Sequence, residues 1–174
     1  MTIDRTMGKS TPTNFKLIFP KFPNVDEQGE KELTLNIFET VIPSLTLETV
    51  DMNWQGSRYS LPSGKINFNP WTINFVVDSD FRNWMMLMRW ITFINNNYDS
   101  VVQLPKTHMV DAVLSINDNW DNEILHVSFD NVWINEIGEV RFSYREGGTD
   151  LVSQATFAYS RYYIERDIKN NKNY

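Results

Sequence analysis

The chain has no cysteine. It can build neither a disulfide framework nor a thiolate metal site. Its two histidines, His108 and His126, are too few for an all-histidine metal centre. No apolar run approaches the roughly 18 residues that a membrane-spanning helix needs. Residues 1–10 lack the apolar centre of a signal peptide. Cytoplasmic synthesis and no membrane anchor are therefore expected. Positive charge is also scarce: 16 Lys and Arg face 22 Asp and Glu, a net charge of −6. Such a surface repels nucleic acid more than it attracts it.

Catalytic and cofactor signatures are missing too. There is no G-x-G-x-x-G, no G-x-x-x-x-G-K-[ST], no H-E-x-x-H and no G-x-S-x-G. Asp118, Asp121, Asn122 and Glu123 cluster hard oxygens but lack the spacing of a calcium loop, so a solvated turn is the better account. No catalytic set, metal or cofactor is expected, and the chain does not read as an enzyme.

What the chain has is alternation. Phe15-Leu17-Phe19, Leu33-Leu35-Ile37, Leu45-Leu47, Ile66-Phe68 and Trp71-Ile73-Phe75-Val77 all place apolar residues at every second position. Val110-Ala112-Leu114-Ile116, Leu125-Val127-Phe129, Val140-Phe142-Tyr144 and Ala155-Phe157-Tyr159 do the same, and a long last strand is expected at about 152–164. This period is that of half-buried strands. Many short strands separated by Pro, Gly and Asn turns imply an antiparallel β-sandwich or barrel. The length of 174 residues suggests a single domain over 1–174, with an ordered core at about 14–166 and flexible polar termini.

One segment breaks the pattern. Residues 78–80, Asp-Ser-Asp, offer N-cap oxygens, and a helix is expected at about 79–95. It is apolar nearly all round, whereas a surface helix carries one apolar stripe. Either it plugs the end of a barrel, or its outer flank packs on a neighbour. The heptad pair Trp84 and Ile91 is assigned to the core, and Met86, Trp90 and Phe93 to a neighbouring subunit. Residues 48–70 are the second unusual stretch. Strand-like flanks surround a middle with Trp54, Tyr59 and Leu61, which reads as a long hairpin arm whose aromatics reach a partner. A monomeric carbohydrate-binding module stacking sugars on Trp54 and Tyr59 is the alternative.

The order of these features resembles the tail tube proteins of contractile-tailed bacteriophages. The resemblance rests on the Val41-Ile-Pro-Ser-Leu45 junction, a long hairpin with Lys65-Ile-Asn67, and a Trp71-Thr72 strand running straight into a helix with Trp84 and Trp90. A Trp133…Gly138-Glu139 strand entry before the last strand completes it. Bacteriocin tubes and the type VI secretion needle share that fold. The resemblance implies hexameric rings that stack into the inner tube of the tail, a structural virion protein assembled in the host cytoplasm. It implies partners in the tail sheath and in baseplate or tail-terminator proteins, with double-stranded DNA passing through the lumen without specific binding. Candidate lumen residues are Thr46 and Glu48 on one strand and Gln154, Thr156 and Ser160 on the last. The charged stretch at 26–32 and the Asn/Lys-rich end suggest a second expectation, a tube initiator, tube-end or baseplate protein of the same fold.

Overall fold

The computed structural model describes residues 14–20, 37–96, 108–117, 120, 122–143 and 150–166. Among these are nine strands and one helix. The strands are β1 (Phe15–Ile18), β2 (Ile37–Thr40), β3 (Leu45–Trp54), β4 (Ser57–Phe68) and β5 (Trp71–Val76). Helix α1 (Arg82–Asn96) follows, then β6 (Val110–Asn117), β7 (Glu123–Ile137), β8 (Val152–Ala158) and β9 (Arg161–Arg166). All pairings are antiparallel. The expected strand at 33–37 lies partly outside the described residues, as do both chain ends and Asp118 and Asp121.

One continuous sheet runs β1-β6-β7-β8-β5-β2, with β9 joined to β7. Strand β7 belongs to two layers. Its first half pairs with β6 and β9, and its second half, from Trp133, pairs with β8. Between the halves Asn131 takes a left-handed φ of 53° and the β6 register slips. Asn is among the few residues that accept this conformation readily. The slip turns the strand, and the two layers close over a shared core. Trp71, Ile73 and Phe75 alternate inward on β5, meeting Leu17, Leu114, Val127, Phe129, Ala155 and Phe157. The rings of Trp71 and Phe129 stack at 4.2 Å, only 5° from parallel, although their strands do not pair.

Two sequence expectations are corrected here. Residues 140–143 do not form a strand, and Phe142 is exposed, stacking on Phe81 at 6.1 Å. The chain instead ends β7 at Ile137 with a close approach. A Cβ at Gly138 would sit 3.1–3.3 Å from the backbone and Cβ of Gln154, and the Gly138 N–H donates to the Gln154 carbonyl. The expected single last strand is two, because Ser160 donates its N–H to the Asp130 carbonyl and the chain crosses from one layer to the other there.

The helix start and its faces also differ from expectation. Asp78 and Asp80 do not cap it. Phe81, at φ 58°, supplies the carbonyl that accepts from Met85. The buried Asn83 side chain accepts from the Asp78 and Trp84 N–H groups and donates to the Val76 carbonyl, stapling β5 to α1. Met86 and Trp90, assigned from sequence to a neighbour, face the protomer's own core at 3% and 0% exposure. Trp84 and Ile91 are half-buried at its edge. Trp90 packs on Phe157 and donates Nε1 to the His108 carbonyl. The outward face carries Met85, Met88 and Arg89. Heptad spacing could not separate these faces, because nearly every position was apolar.

Trp90→Ala is expected to destabilise the fold by about 3–5 kcal/mol, since the emptied site lies amid fixed sheet residues. Met88→Asp should stay within about 0.5 kcal/mol of wild type. Urea unfolding followed by circular dichroism measures both.

Candidate assembly interface

The arm is the ribbon β3–β4, a two-stranded sheet separate from the body. Nearly every residue on it is exposed. Its tip is a two-residue turn in which Gln55 and Gly56 both take positive φ, 47° and 78°, the geometry that continues the ribbon's twist.

The register assigns the two sides. Val50 opposes Leu61, and Met52 opposes Tyr59. Trp54 lies on the same side at the tip. These five side chains are each about half to two-thirds exposed, Trp54 most at 66%. On the other side Asp51 opposes Ser60 and receives the Arg58 guanidinium. The Ser60 hydroxyl, and after it Arg58, hold the Asp51 carboxyl below its ordinary range. The outer half of the arm is therefore amphipathic. Its polar side is paired within the ribbon, and its apolar side is exposed.

Two tyrosines from the β8–β9 corner fix the root. Tyr159 donates its hydroxyl to the Asn69 carbonyl at 2.8 Å, and Tyr162 donates to the Pro43 carbonyl at 3.0 Å. Phe68 packs edge-on against both rings. Asn69 donates its N–H to the Ser44 carbonyl and its Nδ2 to the Ser44 hydroxyl. Trp71 Nε1 donates to the Thr40 hydroxyl, which donates to the Thr72 carbonyl. Both strands of the arm thus leave the core from hydrogen-bonded points.

Of the residues singled out from sequence, Trp54, Tyr59 and Leu61 come together on one side of the arm. Phe93 lies apart, half-buried, with its ring edge-on to His108 at 5.1 Å. Thr46 and Glu48 lie on the root half of the arm, where Glu48 accepts from Asn67 Nδ2 at 3.0 Å. Gln154 and Thr156 lie on the outer face of β8, opposite Asn74 and Thr72 of β5. With Phe38, Glu136, Glu139 and Phe142 nearby, Gln154 lines an open concavity of about 1110 Å³. Ser160 is at the layer crossing. The five polar candidates thus divide between the arm root, the outer face of β8 and the crossing that follows it. Sequence reasoning missed Val50 and Met52, whose alternation with Trp54 was readable. It also missed the tyrosine anchors, which form only when β9 folds back beside residue 43. Among the described residues no three His, Asp or Glu side chains converge as a metal site.

Comparison with known proteins gives a consistent picture. The family model described as "Phage tail tube protein" matches residues 10–165. The tail tube terminator protein of Enterobacteria phage T4 is 26% identical over 172 residues, covering 96% of this chain and 95% of that protein. A chain of the extended sheath–tube complex of PVC, an extracellular contractile injection system, superposes with a TM-score of 0.65. It is 13% identical, over 92% of this chain and 94% of the other. A chain of the PVC sheath/tube terminator gives 0.62 at 14% identity, over 87% and 92%. At such identities the structural likeness establishes the fold alone.

Burial, and secondarily the nearby Tyr162, push the Tyr159 hydroxyl up to about 12. The fold therefore favours the neutral phenol. That stabilisation is complete below the unfolded value near 10 and is lost as pH rises from there through about 12. The wild-type urea midpoint should fall across this window more steeply than that of Tyr159→Phe; equal slopes would contradict the anchoring role.

Proposed function

The chain belongs to the phage tail tube protein family, and from that premise we propose that it forms a hexameric ring at the end of the tail tube, as a tube terminator. The observation that carries this reading is the end-to-end match to a T4 protein described as a tail tube terminator. A second reading keeps the chain as the repeated subunit of the inner tube, the role by which its family is described. The terminator reading is preferred because the match to that T4 protein spans nearly the whole of both sequences.

On this reading the apolar side of the arm tip, with Trp54, Tyr59 and Leu61, docks on the adjoining ring of the tube. Exposed apolar clusters of this kind mark protein interfaces. Aromatic anchors dominate such contacts, and truncating one to Ala costs about 2 kcal/mol or more. Sheath and baseplate proteins of the tail would meet the remaining surfaces. A ring of six would carry 6 × −6 = −36 charges. A polar and acidic lumen would let DNA pass without the salt-sensitive affinity that Lys and Arg contacts bring. Glu48 and Thr46, or Gln154, Thr156 and Ser160, are the candidate lining. A carbohydrate platform is disfavoured, because Val50, Met52 and Leu61 beside the two rings offer no hydrogen bonds to orient a sugar.

Sedimentation should report a six-membered species of the 20.5 kDa chain. The Trp54→Ala/Tyr59→Ala variant should keep that species and its circular dichroism yet fail to bind tube ends. A wild-type protein that remains monomeric at high concentration would sink the ring.

A further inference from the structure

The root half of the arm has its own apolar side, and it is not the side used at the tip. Leu45 opposes Phe68, and Leu47 opposes Ile66. On β3 these are odd positions, whereas Val50, Met52 and Trp54 are even. The register slips between Leu47 and Thr49, where β4 inserts Ser63, Gly64 and Lys65 opposite Glu48. Gly64 takes a φ of 78° there. Because β3 itself keeps its alternation, the apolar residues change sides of the ribbon at this point. The polar bonds agree with the assignment. Glu48 with Asn67 occupies one side in the root half, and Asp51 with Ser60 and Arg58 occupies the opposite side in the tip half. A partner lying along one side of the arm therefore meets apolar side chains over only half its length.

Resting on the ring reading above, we propose that Leu45, Leu47 and Ile66 form the contact with an adjacent copy of this chain inside the ring, separate from the tip contact. Three observations favour that occupant. All three side chains are about half exposed, and Val41 and Ile42, just ahead of the arm in the chain, are exposed as well. Leu47 stands only about 7 Å beyond the root at roughly 3.3 Å per residue, while Trp54 stands about 30 Å out. A domain of this length has a radius of gyration of roughly 16 Å. A neighbour packed beside the body therefore reaches the root half, and the tip projects past it. Finally, a closed ring needs each copy to offer one patch that its neighbour covers, repeated at every junction. The root patch is fixed to the core through Phe68, Tyr159 and Tyr162, so it holds the same orientation in every copy.

The cysteine-free sequence makes the test direct, since one introduced thiol is the only one present. Leu47→Cys and Trp54→Cys are labelled with a maleimide as dilute dissociated chain, as isolated rings, and as rings bound to tubes. Circular dichroism confirms an unchanged fold in each. Leu47→Cys should label at least tenfold more slowly in isolated rings than in the dissociated chain. Trp54→Cys should label at the free rate in rings and slow only when tubes are added. Rings in which Leu47→Cys reacts as fast as in the dissociated chain, or slows only with tubes, overturn this assignment and leave the ring standing. A Leu47→Cys chain that stays monomeric while wild type forms rings supports it. A wild-type chain that never forms rings overturns the ring reading and this assignment together.

Discussion

Trp71 sits where the two layers of the sheet meet. Its ring stacks face to face on Phe129 across the core, contacts Phe19 and Phe157, and is wholly buried. Its indole N–H is held by Thr40, immediately ahead of the arm. A tryptophan buried this fully must place its one donor, or leave an uncompensated polar group in the core at a cost of about 1–3 kcal/mol. The ring spans the two layers of the sheet, and the donor fixes the chain entering β3. The residue that seals the core thus also sets where the arm departs.

From that constraint follows a division of labour. The body builds its own core, with strands, helix and corner closing on Trp71, Phe157 and Trp90. The arm does not. It leaves two apolar patches in water, on opposite sides of the ribbon, while pairing its own polar groups. A ribbon of this kind is marginal alone, and anchors at its root hold it here. Such a construction suits a part that meets other molecules through its exposed side chains. It agrees with membership of a family of tail tube proteins.

Much of this was legible in the sequence. Period-two alternation located most strands, because each has one wet and one dry face. The helix was legible from the failure of that alternation. The faces of the helix were not, since Met85, Met86, Met88 and Trp90 look alike to periodicity, and only packing on the core, as of Trp90 on Phe157, separates them. The arm's aromatics Trp54, Tyr59 and Leu61 stood out, but their shared side depends on a cross-strand register that a local pattern does not encode. The division of the last strand depends on a bond from Ser160 to Asp130, and the helix cap on Asn83 reaching back to Val76. Both are long-range choices with no local signature. The expected strand from residue 140 shows the converse, since 140–143 leave the sheet. Alternation alone does not make a strand when Gly138 has already taken the chain off the sheet edge.

The central claim is that this chain makes one ring at the end of a tube. Counting its copies in assembled tails, by quantitative mass spectrometry against the tube subunit, tests that most directly. A single ring predicts about six copies per tail, unchanged in tails of different length. Copies numbering many rings, and rising in proportion to tail length, would contradict it and make the chain the tube itself.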